Sequence, residues 1–378
     1  MNSIPVDGLR HISIVVNDAR ASAQKFAAVY GISEWSVRRY DAERLTGAAT
    51  HGFAADQQYL TATGVADSAD GPVTFVLVQP VAGWTTYHEF LNQRGEGVHS
   101  ICTAAVSPAA LAELTAWLGA RAVPVAQAAR RNGNLDVLLF DTRAKLGGFY
   151  IEILAEHAAG AANEPVDEVW NLRENGAARP ALLRLGGIKH FGVVIPDLPA
   201  AVRGYSELFG ITAFTFRNWH NAPDSLTDPF YLGKPVEHAY FTTMVTPHER
   251  VAFEVIQPTF GPSHYKEDYL QLIGPGIHHL HCGMLDDAAE YAAVKERAAA
   301  AGVPEVMGGG IFASFLDFYY LDTRAALAGY VTEYVVPGVN FAKGRPNVPF
   351  AMTADLSQPA PGYAISTSAE SAPSTVVA

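Results

Sequence analysis

Four segments of this chain read alike, and this internal repetition limits the possible folds more than any other feature of the sequence. Each segment is short, apolar and rich in β-branched residues, as is typical of a buried strand. The segments are LRHISIVV at 9–16, GVHSICTA at 97–104, IKHFGVVI at 188–195 and IHHLHCGM at 277–284. Each places a histidine near its start, and the histidines that align are His11, His99, His190 and His279.

A helical pattern follows each of the four strands. In the first and third copies, Asp18 and Asp197 stand where a helix N-cap is expected. Gly31 and Gly210 stand where those helices should end, because glycine adopts the left-handed conformation that closes many helices. Further strand-like stretches follow, so each copy predicts the order strand, helix and three strands.

The copies also end alike and repeat at a nearly constant distance. The closing motifs DTRAKLGGFYIE at 141–152 and DTRAALAGYVTE at 322–333 share seven of twelve positions. Matching landmarks lie 179 to 181 residues apart along the chain: His11 with His190, His99 with His279, and Glu152 with Glu333. The chain therefore contains one duplicated half, and each half is itself a doubled unit.

These repeats predict an α+β fold of four βαβββ modules, arranged as two tandem paired-module domains. We expect the domains at residues 7–157 and 187–340. The stretch 158–186 is rich in Ala, Asn, Glu and Pro and predicts a linker with one short helix. Residues 355–378 are mostly Ser, Pro, Ala and Thr, which predicts a disordered tail.

Composition excludes several classes of function. The 378 residues carry a net charge of −12, so binding to nucleic acid through released phosphate counterions is not expected. No apolar run reaches the length of about 18 residues that spans a bilayer, and the N-terminus lacks the features of a secretion signal. Two cysteines cannot form a disulfide framework. Together these features predict a cytoplasmic protein that does not act on membranes.

The histidines and glutamates that share a register predict a metal site in the second half. A single histidine on an apolar strand is usually a packed core residue, but four at matching positions, joined by glutamates on the closing strands, favour a site. Alternate residues of a strand face the same side. The residues expected to converge on one cleft from four strands are His190, Glu254, His279 and Glu333.

The first half offers a reduced set of candidate ligands. His11, His99 and Glu152 align with ligands of the second half, but Val76 stands where Glu254 should be. Two histidines and one carboxylate form the ligand set that Fe(II) favours, whereas the fuller second set suits Fe, Mn, Co, Ni or Zn. We therefore expect a divalent metal cation of unspecified identity, with the first half as the weaker site.

These motifs resemble the vicinal oxygen chelate superfamily, which includes glyoxalase I, methylmalonyl-CoA epimerase and the extradiol dioxygenases. The resemblance covers residues 9 to 337 and rests on the four histidine strands, the strand VAFEVIQP that contains Glu254, and the two DTRA closures. It implies a metal that binds two neighbouring oxygens of a small substrate. It also implies that Glu254 or Glu333 acts as the catalytic base, since a ligand carboxylate can move a proton on carbon.

Three functions follow from this resemblance. The first is a metal-dependent epimerase or isomerase of a hydroxy-ketone, acting through a metal-stabilised enediolate. The doubled halves resemble two-domain epimerases of secondary metabolism, including cyclitol epimerases that act on 2-epi-5-epi-valiolone. The second is an Fe(II)-dependent extradiol-type dioxygenase, although the stretches before Asp141 and Asp322 lack the histidine of that signature. The third is a small-molecule-binding resistance protein. The expected partner is a small substrate with vicinal oxygens, and a homodimer is compatible with the sequence.

Overall fold

The strands of the first half form one sheet. The computed structural model describes residues 2–158, 160, 163–173, 180–347 and 351–357. Within these residues, the first sheet has eleven strands. They are β1 (His11–Val15), β2 (Glu34–Tyr40), β3 (Leu45–Thr50), β4 (Phe53–Ala54), β5 (Gln57–Ala66), β6 (Val73–Gly83), β7 (Gly97–Val106), β8 (Val125–Arg131), β9 (Leu135–Phe140), β10 (Tyr150–Glu156) and β11 (Glu168–Asn171).

The second half repeats this sheet with another eleven strands among the described residues. They are β12 (His190–Val194), β13 (Ala213–His220), β14 (Leu226–Tyr231), β15 (Lys234–Pro235), β16 (Ala239–His248), β17 (Val251–Phe260), β18 (Gly276–Met284), β19 (Glu305–Ile311), β20 (Leu316–Leu321), β21 (Val331–Pro337) and β22 (Met352–Asp355).

Helices are few and short. The described α-helices are α1 (Ala19–Tyr30), α2 (Thr86–Arg94), α3 (Pro108–Gly119), α4 (Arg143–Leu146), α5 (Leu198–Phe209) and α6 (Ala288–Ala300). A π-helix covers His264–Leu270, and a 3₁₀ turn covers Phe341–Lys343. None of the helices in the described ranges is long and apolar enough to span a membrane.

The order of strands in the sheets confirms the α+β fold built from paired modules. In the first sheet, strands β2, β5, β6 and β1 of one module lie beside strands β7, β10, β9 and β8 of the next. The second sheet repeats this order with β13, β16, β17 and β12 beside β18, β21, β20 and β19. The first strands of paired modules, β1 with β7 and β12 with β18, run antiparallel at the centre of each curled sheet. The strands that carry the repeated histidines therefore meet.

The helix boundaries follow the signals in the sequence. The side chain of Asp18 accepts a hydrogen bond from the backbone of α1, and Asp197 does the same for α5. Gly31 and Gly210 end these helices at φ values of 74° and 72°, a conformation that costs glycine little. Both helices bury one face against the core. The N-cap and helix-end predictions are confirmed.

The two halves contact each other reciprocally through their closing motifs. A Cβ atom placed on Gly148 would lie 2.0 Å from the carbonyl oxygen of Pro275, and one on Gly329 would lie 2.0 Å from that of Glu96. Both glycines have positive φ, 96° and 98°. The DTRA motifs form the turns before these contacts, since Asp141 and Asp322 each pair with the arginine two residues later.

The predicted linker takes part in the first sheet. Its described residues contain β11, which pairs antiparallel with β2, whereas residues 174–179 of the stretch lie outside the described residues. The short helix expected in the linker stays a prediction. In the second sheet β22 pairs with β13 at the matching edge, and this strand ends where the tail was expected to begin. The tail from residue 358 onward lies outside the described residues. The proposed domain limits, 7–157 and 187–340, stay a prediction.

Candidate metal centre

The register of four adjacent strands brings the predicted residues of the second half together. On β12, Gly192 lies opposite Glu254 of β17 on one side and opposite His279 of β18 on the other. His190 lies opposite His281, which in turn lies opposite Glu333 of β21. The four candidate ligands therefore occupy neighbouring positions on one face of the sheet.

The side-chain atoms of these four residues converge. One ligand atom from each of His190, Glu254, His279 and Glu333 can be chosen so that all lie within 4.8 Å of one another. The Nε2 atoms of His190 and His279 lie 3.1 and 3.3 Å from Glu333 Oε2, and 3.5 and 3.8 Å from Glu254 Oε2. Ligand atoms about 2.0–2.2 Å from one ion are separated by roughly 3 Å, so this spacing matches a divalent cation.

The hydrogen bonding of the group also fits a cation. Glu333 Oε2 is buried and makes no hydrogen bond with the described residues, although two imidazole nitrogens lie close to it. The Nε2 atoms of His190 and His279 are themselves 3.4 Å apart. Buried polar atoms are rarely left without partners. Two nitrogens and two carboxylates directed at one point are the donors that Fe, Mn, Co, Ni or Zn accepts.

Glycine at position 192 makes room for one of the imidazoles. A Cβ atom there would lie 1.9 Å from the ring of His279. The backbone of Gly192 has no positive φ, so the requirement is for space and not for an unusual conformation. Any larger residue at this position would displace His279 from the group.

The two carboxylates have different acidities in the metal-free chain. Burial, helped by the nearby Glu333 carboxylate, raises the pKa of Glu254 to about 7. Burial also opposes the ionisation of Glu333, but the imidazoles of His279 and His281 outweigh it and hold the pKa of Glu333 well below its usual range. Glu333 is therefore the fixed anion of the pair, and Glu254 is the carboxylate that can gain or lose a proton near neutral pH.

An aromatic cavity opens beside the group. Its volume is about 390 Å³, and its wall includes Trp219, Tyr240, Phe318 and Val335. Tyr320 donates a hydrogen bond of 3.1 Å to Glu333 Oε1 and accepts one of 2.6 Å from Tyr265. The cavity therefore combines an apolar wall with a polar floor, which suits a ligand that has oxygens on one edge.

In the first half the equivalent group is already satisfied by hydroxyl groups. Ser13 and Ser100 donate hydrogen bonds of 3.2 and 3.1 Å to Glu152 Oε2, and His11 lies 3.2 Å from Glu152 Oε1. Cys102, His11 and Glu152 also lie close enough to form a candidate metal group. Burial raises the pKa of Cys102 well above its usual value, so its sulfur is a thiol in the metal-free chain and would have to lose its proton to bind a metal.

His99 does not join this group, and the alignment that made it a ligand is wrong. Ser13 lies opposite Ser100, and the next pair is Ile14 with Val98, so His99 is the extra residue of a β-bulge. Its counterpart is His278, which likewise has no partner residue on β12 and is the extra residue of a β-bulge. The His99 ring is buried and stacks 4.5 Å from Tyr150, and burial lowers its pKa to about 3.

Solved structures identify the architecture. A triple mutant of 4-hydroxymandelate synthase from Streptomyces coelicolor matches with a TM-score of 0.52 and 13% identity, over 90% of this chain and 97% of that one. This chain therefore shares the overall fold of that protein. No protein-family model matches the sequence, and no curated protein matches it.

Two other solved structures align less well. The 2,3-dioxygenase LapB from Pseudomonas sp. KL28 has a TM-score of 0.42 at 13% identity and covers 89% of this chain and 94% of its own. Methylmalonyl-CoA epimerase from Mycobacterium tuberculosis has a TM-score of 0.29 at 20% identity, over 42% of this chain and 93% of its own. The predicted α+β fold of paired modules is confirmed, and four side chains of the second half lie close enough together to hold a divalent cation.

Three residues outside the predicted ligand set contact a candidate ligand or its neighbour. They are His281, Tyr320 and His264. His281 could be foreseen, because it alternates with His279 on the same strand. Tyr320 and His264 come from other elements, and only the fold brings them to the site.

Proposed function

We propose that the second half is a metal-dependent isomerase or epimerase that moves a proton on the carbon beside a ketone. The observation that supports this most directly is the position of Glu254, a partly buried carboxylate with an oxygen within 4.8 Å of ligand atoms of His190, His279 and Glu333. A carboxylate beside the cation can reach the carbon that the same cation makes acidic. The pKa of Glu254 is about 7 in the metal-free chain, and a bound cation would lower it.

The residues divide the work as follows in this proposal. His190, His279 and Glu333 hold the cation, which when bound polarises the substrate oxygens and makes the adjacent carbon more acidic. Glu254 accepts the proton from that carbon and returns it to the neighbouring carbon, which isomerises the hydroxy-ketone. Epimerisation instead requires that a proton be delivered to the opposite face of the same carbon. Tyr320 fixes the orientation of Glu333 through a hydrogen bond of 3.1 Å.

The cavity wall supports a substrate with vicinal oxygens on one edge and an apolar face. Trp219, Tyr240 and Phe318 line the cavity opposite the carboxylates. A hydroxy-ketone on a rigid ring meets this description, because its C–H faces can pack on aromatic rings. A keto-cyclitol is the specific substrate that we propose within this class, and the cytoplasm is the proposed location.

The proposal is tested by hydrogen exchange. The protein is loaded with Mn²⁺, Co²⁺ or Zn²⁺ in deuterated buffer and incubated with 2-hydroxycyclohexanone, 2-hydroxyacetophenone or a keto-inositol. We expect deuterium at the carbon beside the ketone, measured by mass spectrometry. We expect Glu254→Gln to keep its metal but to exchange about a hundredfold or more slowly, the usual scale for a general base.

A second candidate is an Fe(II)-dependent dioxygenase, and one observation favours it. Protonated Glu254 would leave His190, His279 and Glu333 as two histidines and one carboxylate, the set typical of such oxygenases. Oxygen uptake by the Fe(II)-loaded protein with catechol or 4-hydroxyphenylpyruvate, without deuterium exchange in any ketone, would replace the isomerase proposal. A protein that binds these compounds without turnover or metal would favour the resistance-protein reading.

A further inference from the structure

Other imidazoles lie behind both imidazoles of the candidate centre. His190 Nδ1 lies 3.3 Å from Nδ1 of His281, and His279 Nδ1 lies 3.0 Å from Nδ1 of His278. The second contact continues, since His278 Nε2 lies 2.7 Å from Nδ1 of His264. Ligand histidines usually bond instead to a carboxylate, a backbone carbonyl or water. We call the series His264, His278 and His279 the histidine chain.

The fold holds this chain rigidly. His278 is the bulged residue of β18, and His264 begins the π-helix, whose cap is Ser263. All three histidines of the chain are fully buried. The rings of Tyr265 and Tyr269 lie 5.0 and 5.1 Å from that of His278 and confine it.

The contacts between the rings fix how donors and acceptors are paired. Nitrogen faces nitrogen at 3.0 Å between His279 and His278 and at 2.7 Å between His278 and His264. A neutral imidazole has one N–H donor and one bare acceptor nitrogen. Each contact in the chain needs one of each, so the position of one proton decides the positions of the others.

Only two arrangements of protons satisfy both contacts. In one, His279 donates from Nδ1 to His278, and His278 donates from Nε2 to His264; the Nε2 lone pair of His279 is then free. In the other, both donors are reversed, and His279 carries its proton on Nε2, the atom that faces Glu333. A cation can bind only the first arrangement, because it needs that lone pair.

We propose that His278 and His264 are positioning residues that select the tautomer of His279 and thereby set the affinity of the centre for a divalent cation. This inference rests on the proposed metal site. It adds that the affinity depends on a hydrogen-bond acceptor two rings away from the cation. His264 supplies this acceptor through Nδ1 and carries its own proton on Nε2.

The first half provides a natural comparison for the chain. Ser100 stands at the position of His279, and Thr86 begins α2 where His264 begins the π-helix. His99 keeps the position of His278, yet neither of its ring nitrogens has a hydrogen-bond partner among the described residues. The bulged histidine therefore occurs in both halves, but it is linked into a chain only where a ligand histidine follows it.

The first test reads the tautomers directly. Protein with ¹⁵N-labelled histidine is examined by long-range ¹H–¹⁵N NMR with and without Zn²⁺. With Zn²⁺ bound, we expect His279 protonated on Nδ1, and His278 and His264 protonated on Nε2. Protonation of His278 or His264 on Nδ1 in the loaded protein would overturn the inference. Failure of the unaltered protein to bind Zn²⁺ would overturn the metal site itself, which is a distinct result.

The second test distinguishes two roles for His264: a hydrogen-bond acceptor for His278, or a side chain that only fills space. His264→Phe keeps a ring but removes the acceptor, and we expect Zn²⁺ affinity by competition calorimetry to fall about 10- to 100-fold, the usual effect of losing an outer partner. His264→Gln offers an amide oxygen and should recover most of that loss. His99→Phe is the matched control in the first half and should leave affinity unchanged. Equal affinities for His264→Phe and His264→Gln in folded protein would show that His264 only packs.

Discussion

The two halves share one scaffold but treat the same carboxylate in opposite ways. Glu152 and Glu333 both lie on the closing strand and face the histidine of the first strand, His11 or His190. Glu152 is saturated by donors, whereas Glu333 Oε2 has no hydrogen-bond partner among the described residues. The difference indicates that a carboxylate can serve as a metal ligand only where no hydrogen-bond donors compete for its oxygens, in addition to having further ligands nearby.

Two exchanges account for most of this difference. Ser13 and Ser100, which donate hydroxyl groups to Glu152, are replaced by Gly192 and His279 in the second half. The two changes depend on each other, because the ring of His279 fills the space that a side chain at position 192 would need. A third exchange, of Val76 for Glu254, adds the second carboxylate.

The largest effect should come from removing the histidine that distinguishes the second half. His279→Ala deletes a ligand and the inner end of the histidine chain, so we expect metal affinity to fall by more than about a hundredfold, beyond the loss from an outer-shell change. His99→Phe should leave the metal content unchanged. Metal analysis of both purified variants checks this, and equal metal loss in the two would mean that the halves are ranked wrongly.

The comparison can also be tested by giving the first half the site residues of the second half. We expect the triple variant Ser13→Gly, Val76→Glu, Ser100→His to bind a second divalent cation, raising the stoichiometry from one to two per chain. Ser100→His without Ser13→Gly should bind no second ion, because the Ser13 side chain occupies the space that the imidazole needs. Calorimetric titration with Zn²⁺ distinguishes the two variants, and an unchanged stoichiometry in folded triple variant contradicts this account.

Because donors surround the Glu152 carboxylate, the free energy of unfolding should depend on pH. His11 and Ser100 outweigh the effect of burial and lower its pKa from 4.5 to about 2. A lowered pKa stabilises the fold above about pH 4.5, and the benefit is lost as the pH falls toward 2. We expect Glu152→Gln to lower the free energy of unfolding by about 3 kcal/mol at pH 7 and about 1 kcal/mol at pH 3.

Urea unfolding of the metal-free protein at both pH values measures this difference. Glu254 supplies a contrast of opposite sign, because its raised pKa makes the metal-free fold less stable as the pH rises from about 4.5 through 7. Glu254→Gln should remove that decline. A pH-independent effect of Glu152→Gln would show that its charge has no role in stability.

The smallest effect should come from a single hydroxyl group. Ser13→Ala removes one of the two donors to Glu152 Oε2 but leaves Ser100 in place. We expect a loss of about 1 kcal/mol in the free energy of unfolding and no change in bound metal. A change in metal content after Ser13→Ala would assign the first half a role at the metal site.

The sequence was sufficient for the modules and for the grouping of the four candidate ligands of the second half, because apolar strands and their repeat distance are local features. It failed at His99 because a bulge adds one residue on β7 and on β18, and pairing with a neighbouring strand decides which residue is extra. Aligning Gly97 with Gly276, 179 residues later in the chain, gives the correct register of β7 against β18. The partner of His278 could not be foreseen, since the π-helix that carries His264 reaches it only in the folded sheet.

The reciprocal contacts of Gly148 and Gly329 have a consequence for how the chain can be divided. Gly148 of the first half touches Pro275, just before the strand that carries His279, and Gly329 of the second half touches Glu96 in return. Each half thus shapes the start of a central strand in the other, which favours unfolding of the two as one cooperative unit. A fragment that contains only the second half would therefore lose a contact at the start of the strand that carries His279.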